Sequence, residues 1–538
     1  MNDKKGSFFA HQPALDSPNF LFACLLLIVG TLIAYAPIFS GWYIADDFWH
    51  LESFSLPLGA VVKHIIFEHV YLDHADWHYR PLTNFVLMLV CRSHSAFAGH
   101  LLNLLVHAAT GIALYRFLRQ LERGAMAAFT GALLFVLLPA AAPAVCWISS
   151  IGDLMAAFFA LCAAILFVKT HRTNLRIMGM GGLFALSLFS KEMTVTLPFL
   201  LLFLSVSRKT LREDGRSLLV LFAVLAAFVM VRTAMVGNPM STPGTERFTA
   251  VSLKTLVNMA RYLSMMVVPV PTHMLLLYPL SVLAVLPVAV LVVMGANVRG
   301  WKTTVISLAG GLAALIFSLL PVANAFSFWY NYVPGVLFAV VIAGVLPRSF
   351  KSLSALAAGA LLIVSGANVF LIAVEWQHAG TFQKKLFAEI ASIPDDTLQF
   401  GNFPRISYST TLLAGQAQLR AGLSYLYGIH NRTIYVNAPR WYEHIAPDVK
   451  LRIETAAHFT LTVPPGSADY FSPYPVNGPN PYISGAKVKF SDYTSFSGNP
   501  RTMCIDFPHE VKLIQVEPVV KQSSPRKIIK TGAPASCR

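Results

Sequence analysis

Asp46 and Asp47 stand side by side in Gly41-Trp42-Tyr43-Ile44-Ala45-Asp46-Asp47-Phe48-Trp49-His50, just after a long apolar run. At a membrane boundary, aromatic walls raise a carboxylate's proton affinity, which suits a general base. Two solvated acids in an interfacial loop would use the same residues, and both readings stand here. Arg80 follows in Trp77-His78-Tyr79-Arg80-Pro81-Leu82. A guanidinium fork fits a phosphate, and His78 could add a donor. The plainer reading is an arginine snorkelling to lipid headgroups. His100, Asn103 and His107 share a helical face, and hydrogen bonding between helices suits them better than a metal.

Two further groups lie deeper. Asp153 and Glu192 are the only acids within the apolar runs between residues 97 and 374, and Lys191 is a counter-charge beside Glu192. Charges in a membrane are paired and face the bundle interior or a cavity. A structural ion pair and a functional cavity are both open. Phe328-Trp329-Tyr330-Asn331-Tyr332-Val333-Pro334 clusters aromatics at a helix entrance, as an interface belt or as the wall of a sugar or lipid groove. His64, Glu68, His69, Asp73, His74, Asp76 and His78 crowd one loop, but their spacing matches no metal motif.

The elements that must hold these residues are membrane helices. Of 538 residues, 55% are hydrophobic and 12% charged. Soluble domains carry roughly 25% charged residues, so a soluble enzyme and a disordered chain are both excluded. Mean hydropathy is +0.59. Apolar runs near 20–40, 97–118, 126–142, 152–168, 176–190, 192–206, 217–236, 279–297, 303–321, 330–346 and 353–374 predict about eleven spans. The short pair around Ser190-Lys191-Glu192 would also suit a re-entrant turn. The first run reads as an uncleaved span. With the N-terminus cytoplasmic, 16 of the 24 basic residues before position 376 fall on the inner side, and the tail lies outside.

Two outer loops are long: 41–96, with short surface helices, and 237–278, whose middle from Leu253 to Val268 reads as an amphipathic interfacial helix. From about 376 the composition turns polar. Runs such as Thr433-Ile434-Tyr435-Val436 and Phe459-Thr460-Leu461-Thr462-Val463 suggest strands. The expected architecture is a polytopic α-helical membrane domain, 1–375, followed by an extracytoplasmic α+β domain, 376–538. Cys504 and Cys537 could pair in an oxidising compartment. The net charge of +15 is topological, and no basic–aromatic patch suggests nucleic acid.

In order, the chain shows Ala45-Asp46-Asp47-Phe48, Tyr79-Arg80-Pro81-Leu82 and the His100, Asn103, His107 helix. Ser149-Ser150-Ile151-Gly152-Asp153-Leu154, Ser190-Lys191-Glu192 and Tyr330-Asn331-Tyr332-Val333-Pro334 follow. Over residues 20–375 this set resembles the GT-C superfamily, multi-spanning glycosyltransferases that use polyprenyl-phosphate sugars. Its order is most similar to the protein O-mannosyltransferase-related branch, including members with tetratricopeptide repeats. The tail here has no such repeats. Bacterial lipid A and cell-wall glycosyltransferases of the superfamily also carry a soluble outer domain.

The resemblance implies an inverting hexosyl- or pentosyltransferase acting at the outer membrane face. Asp46 or Asp47 would deprotonate the acceptor hydroxyl, and Arg80 with His78 would hold the leaving lipid phosphate. Arg247 or Arg261 would be a second phosphate ligand. Asp153, Lys191, Glu192, His100, Asn103, His107, Tyr330 and Tyr332 would shape or support the cavity. The branch generally works without a catalytic metal, so no metal and no other cofactor are expected. The partners would be a polyprenyl-phosphate (undecaprenyl-type) sugar, a glycan, glycolipid or protein acceptor, and membrane lipids. The expected location is a bacterial inner membrane with a periplasmic tail, and the expected role is modification of a cell-envelope glycan or glycolipid. Two other classes compete: a transporter or flippase of lipid-linked sugars, and a membrane-anchored assembly protein.

Overall fold

A computed structural model of the chain describes residues 18–63, 65–66, 70–71, 74–75, 79–169, 173–236, 253–267, 285–323, 326–346, 352–391, 398–402, 406–407, 410–411, 416–428, 434–437, 450–455, 458–463, 487–490, 501–506 and 511–515. His78, Arg247, the remaining crowded-loop residues except His74, and Cys537 lie outside the described residues. This is an integral membrane protein of mostly helical fold. Among the described residues six helices are long and apolar enough to cross a membrane: Ala96–Gln120, Ile148–Val168, Leu211–Val236, Trp301–Val322, Phe328–Val345 and Leu353–Ala388. Phe20–Ala34, Pro81–Arg92, Ala125–Val136 and Val285–Val298 are apolar but shorter. Each of the eleven apolar runs overlaps a described helix, and six of those helices reach spanning length, so the described residues show six of the eleven expected spans.

The chain divides into two compact units, Met1–Phe39 with Gly59–Val90 and Ala98–Ala373, and Ser40–Leu58 with Cys91–Phe97 and Val374–Arg538. In the first, exposure patterns follow from lipid as solvent. Along Pro18–Ala34 the buried side chains are Ala23, Leu27, Thr31 and Ala34, one face of a helix. Leu21, Phe22 and Ile33 point outward, and Thr31 returns its hydroxyl to the Leu27 carbonyl. The helix Ile151–Val168 is buried almost all round. Ala156, Ala157, Ala160, Ala163 and Ala164 are small enough for neighbouring backbones to approach closely.

Its main neighbour, Asn174–Ser190, ends where the chemistry begins. Lys191 is extended, Glu192–Thr194 forms one 3-10 turn, and Leu197–Arg208 starts with Pro198 in its first turn. Thr194, Val195, Thr196 and Pro198 disfavour a continuous helix. Freed polar groups in a membrane must find partners inside the protein. Ser187 donates to the Ala156 carbonyl at 2.7 Å and meets the Thr194 hydroxyl at 2.7 Å. Thr83 Oγ1 donates to the Ser190 carbonyl at 2.6 Å, satisfying one of the acceptors left at that helix end.

Gly152 makes this junction possible. A Cβ there would lie 2.7 Å from Thr83 Oγ1 and 3.2 Å from the Ser190 carbonyl oxygen. Gly152→Ala is therefore expected to destabilise the protein by about 1–3 kcal/mol, the usual cost of overpacking. Thermal unfolding in detergent reads the loss. Adding Thr83→Ala should recover only part, because the backbone contact remains; wild-type stability of the single variant would refute the close approach.

In the second unit, Leu398–Asn402 lies between Ile434–Asn437 and Val511–Gln515, parallel to both. Parallel neighbours need a crossover, and the helix Gln416–Tyr427 lies between the first two strands in the chain. A second sheet, antiparallel, runs Lys450–Thr455, His458–Val463, Arg501–Asp506, Lys487–Phe490. This unit also contains Ser40–Leu58 and so the acid pair.

Candidate functional site

Within the first unit, the junction at Thr83, Gly152 and Ser190 carries charged side chains one to three residues away. Pro81 opens the helix Pro81–Arg92, so Arg80 sits just before its first turn. Arg80 donates from Nε to Glu192 Oε2 at 2.9 Å and from Nη2 to Glu192 Oε1 at 2.6 Å, a two-pronged pair. Lys191 Nζ meets Asp153 Oδ2 at 2.5 Å and lies 4.9 Å from the centre of the Tyr330 ring. Asp153 is fully buried, and Lys191 and Glu192 are 6% and 7% exposed. Asp153 Oδ1 has no hydrogen-bond partner among the described residues. Two ion pairs, Arg80–Glu192 and Lys191–Asp153, thus lie at this junction. Such a group is costly to bury and persists only with close pairing.

Tyr79, next to Arg80, is buried, and burial pushes its phenol pKa up, so it stays protonated and able to donate. Tyr330 packs with Met193, Tyr262, Leu319 and Val322. The helix Leu253–Val267 joins through this cluster. Tyr262 Oη accepts the Ser327 N–H at 3.0 Å, and Asn258 donates to the Ala323 carbonyl at 3.0 Å. Arg261, on the same helix, is exposed and lies 5.6 Å from the Phe326 ring centre rather than in an ion pair with the four charges.

The His100, Asn103, His107 face is a helix-joining strip. Asn103 Nδ2 donates to the Val145 and Trp147 carbonyls, at 3.1 and 2.8 Å. That fixes the turn leading into Ile151–Val168 and so helps to place Asp153. His107 is hydrogen-bonded to Tyr332 Oη at 2.9 Å and to the Val136 carbonyl at 3.1 Å. A ring with one nitrogen on a carbonyl donates there, which leaves the other to accept from the tyrosine. His100 is buried on the same helix.

The acid pair belongs to the second unit. Asp47 is 3% exposed; Asp46 is half-buried. Asp47 Oδ2 accepts the Ile44 N–H at 2.9 Å, closing the loop onto its own helix, Asp47–Phe54. Asp46 is the residue before that helix, and its side chain makes no cap hydrogen bond. Both carboxylates stand where helix N–H groups favour negative charge. Ala45 has φ +52°, the left-handed region where a Cβ is unfavourable, so this short loop is held in a strained conformation. Trp42, Phe48 and Phe387 pack around it, with Phe48 and Phe387 ring centres 4.5 Å apart. Gly380 lets the Trp42 backbone approach; a Cβ would be 2.6 Å from the Trp42 nitrogen. Burial first, then nearby Cys91, Tyr425 and Asp47, push the Tyr43 phenol pKa well up.

No protein-family model matches this chain, and no curated protein matches it in sequence. Among solved structures it is similar to ArnT from Cupriavidus metallidurans, crystallised with undecaprenyl phosphate. The identity is 11%, over 77% of this chain and 89% of that one, with a TM-score of 0.41. So loose a superposition assigns this chain neither a family nor a chemistry.

Thr83 and Ala45 were not singled out from sequence. A threonine in an apolar helix normally returns its hydroxyl to its own backbone, so no local signal marks Thr83. Nothing in the composition around Ala45 predicts a positive φ either. Gly152 adjoins Asp153 in the sequence, but its use depends on two distant chain segments meeting there. The side-chain donors of Arg80 expected to hold phosphate include two that are committed to Glu192.

Proposed function

We propose that this protein is a glycosyltransferase of the GT-C type that moves a sugar from a polyprenyl phosphate to an acceptor hydroxyl at the outer face of a membrane. The observation that carries this reading is the buried group Arg80–Glu192 and Lys191–Asp153, which a passive anchor has no need to retain. Roles are assigned within each unit. Asp46, the more exposed acid, is the base; Asp47, tied to Ile44, positions it. Arg80 receives the donor phosphate, with His78 and one of Arg247 and Arg261 as further ligands. Asp153, Lys191 and Tyr330 support Arg80 and Glu192, and His107 with Tyr332 braces the helices.

The reaction is a single displacement. The acceptor O–H gives its proton to Asp46, and its oxygen bonds to the anomeric carbon. The bond from that carbon to the phosphate oxygen breaks, and its electron pair stays on the phosphate. A phosphodiester with one negative charge becomes a monoester with up to two, so a cation at the phosphate stabilises the transition state more than the ground state. The anomeric configuration inverts. The acceptor is proposed to be a cell-envelope glycan or glycolipid and the membrane a bacterial inner membrane, with the tail periplasmic.

A transporter of lipid-linked sugars is the second reading, favoured by the broken segment Lys191–Thr196 between two helices. One comparison separates the two. Envelope glycolipids and glycans are profiled by mass spectrometry from cells lacking the protein, carrying wild type, or carrying Asp46→Asn with Asp47→Asn at matched levels. A sugar missing from one product in both the null and the variant supports transfer. A variant indistinguishable from wild type refutes the base assignment and favours transport.

A further inference from the structure

Resting on the proposed phosphate site at Arg80, we propose that Glu192 is a built-in competitor for the lipid phosphate. It engages the Arg80 fork through two hydrogen bonds and would be displaced from it by donor phosphate. Glu192 then returns to expel the polyprenyl phosphate product. Four observations support this. The Arg80–Glu192 pair is two-pronged, the arrangement a phosphate would also adopt. Glu192 already meets the Nε and Nη2 donors of Arg80, so a phosphate that uses the same two donors competes with it. Of the two resident anions, Asp153 is sealed, with 1% side-chain exposure, while Glu192 has 9% and its partner Arg80 has 18%. Glu192 sits on a single 3-10 turn between helix breaks, where a small backbone adjustment can swing it aside.

The charge change of the reaction makes such a competitor useful. Donor phosphate carries one negative charge and product phosphate up to two, so an unopposed Arg80 would hold product more tightly than donor. A tethered carboxylate acts at high effective concentration and weakens both by the same factor, which keeps the tighter-held product from being trapped.

The test measures equilibrium binding of a radiolabelled short-chain polyprenyl monophosphate to the purified full-length protein in detergent micelles. Glu192→Gln keeps the shape and removes the charge. It is expected to bind about 10-fold more tightly than wild type, the size of a partly buried charge-pair contribution. Glu192→Asp is too short to engage both prongs and should bind more tightly than wild type by a smaller factor; it carries the test if Glu192→Gln does not fold. Arg80→Gln should lose binding. If either folded Glu192 variant binds no better than wild type while Arg80→Gln loses binding, the competitor role is overturned and the phosphate site stands. If Arg80→Gln binds like wild type, the phosphate site itself falls, and the competitor role with it.

Discussion

Asp46→Asn is expected to cut sugar transfer by about 10²–10⁴-fold, the usual contribution of a positioned general base. The variant should fold, because the amide is nearly the same size as the carboxylate. Asp47→Asn should behave differently. Its remaining carbonyl oxygen can still accept from Ile44, so the loop closes and transfer falls less. Asp47→Ala removes the acceptor altogether and leaves a buried N–H unpaired, at a cost of about 1–3 kcal/mol. The strained Ala45 just upstream would then be free to relax, carrying Asp46 out of position. Transfer from a labelled polyprenyl-phosphate sugar pool in isolated membranes measures all three. Full activity in both Asn variants and in their double would sink the base assignment.

Asp153→Ala is expected to destabilise the membrane unit strongly. It leaves the Lys191 ammonium buried against Tyr330 with no carboxylate, and breaking one side of a buried pair costs about 3–5 kcal/mol. Lys191→Met alone leaves the Asp153 carboxylate uncompensated and should cost a similar amount. Combining Asp153→Ala with Lys191→Met removes both charges together, so the double variant should be more stable than either single. Thermal unfolding of the four proteins in one detergent closes the cycle. Losses that simply add would show that the two groups are not coupled. A double variant that folds but no longer binds lipid phosphate would show that the pair also supports Arg80.

Local information accounts for much of the helical framework and little of the pairing. Apolar runs are visible residue by residue because chain composition and solvent act at each position. Asp153 and Glu192 stand out for the same reason, since a charge in an apolar run must have a partner. Which partner is a different question. Lys191 adjoins Glu192 in sequence, yet it pairs with Asp153, 38 residues away, while Glu192 takes Arg80, 112 residues away. Adjacent side chains on an extended segment point to opposite sides, so the neighbour in sequence is not the neighbour in space. The break after Ser190 was open as a re-entrant turn; the 3-10 turn and the Thr83 hydrogen bond define its form.

The acid pair shows the same division. Two adjacent aspartates after a first span are legible as a candidate site, but sequence treats them alike. Loop closure separates them: one carboxylate turns in to hold Ile44, and the other is left half-buried at the helix start. Composition alone determines that this chain lives in a membrane and folds as helices, because the solvent acts on every residue independently. Only the tertiary structure decides which cation meets which anion, which glycine admits a neighbouring chain and which aspartate stays the more exposed. Those are properties of contacts between segments far apart in the sequence, and close packing gives each of them a single arrangement.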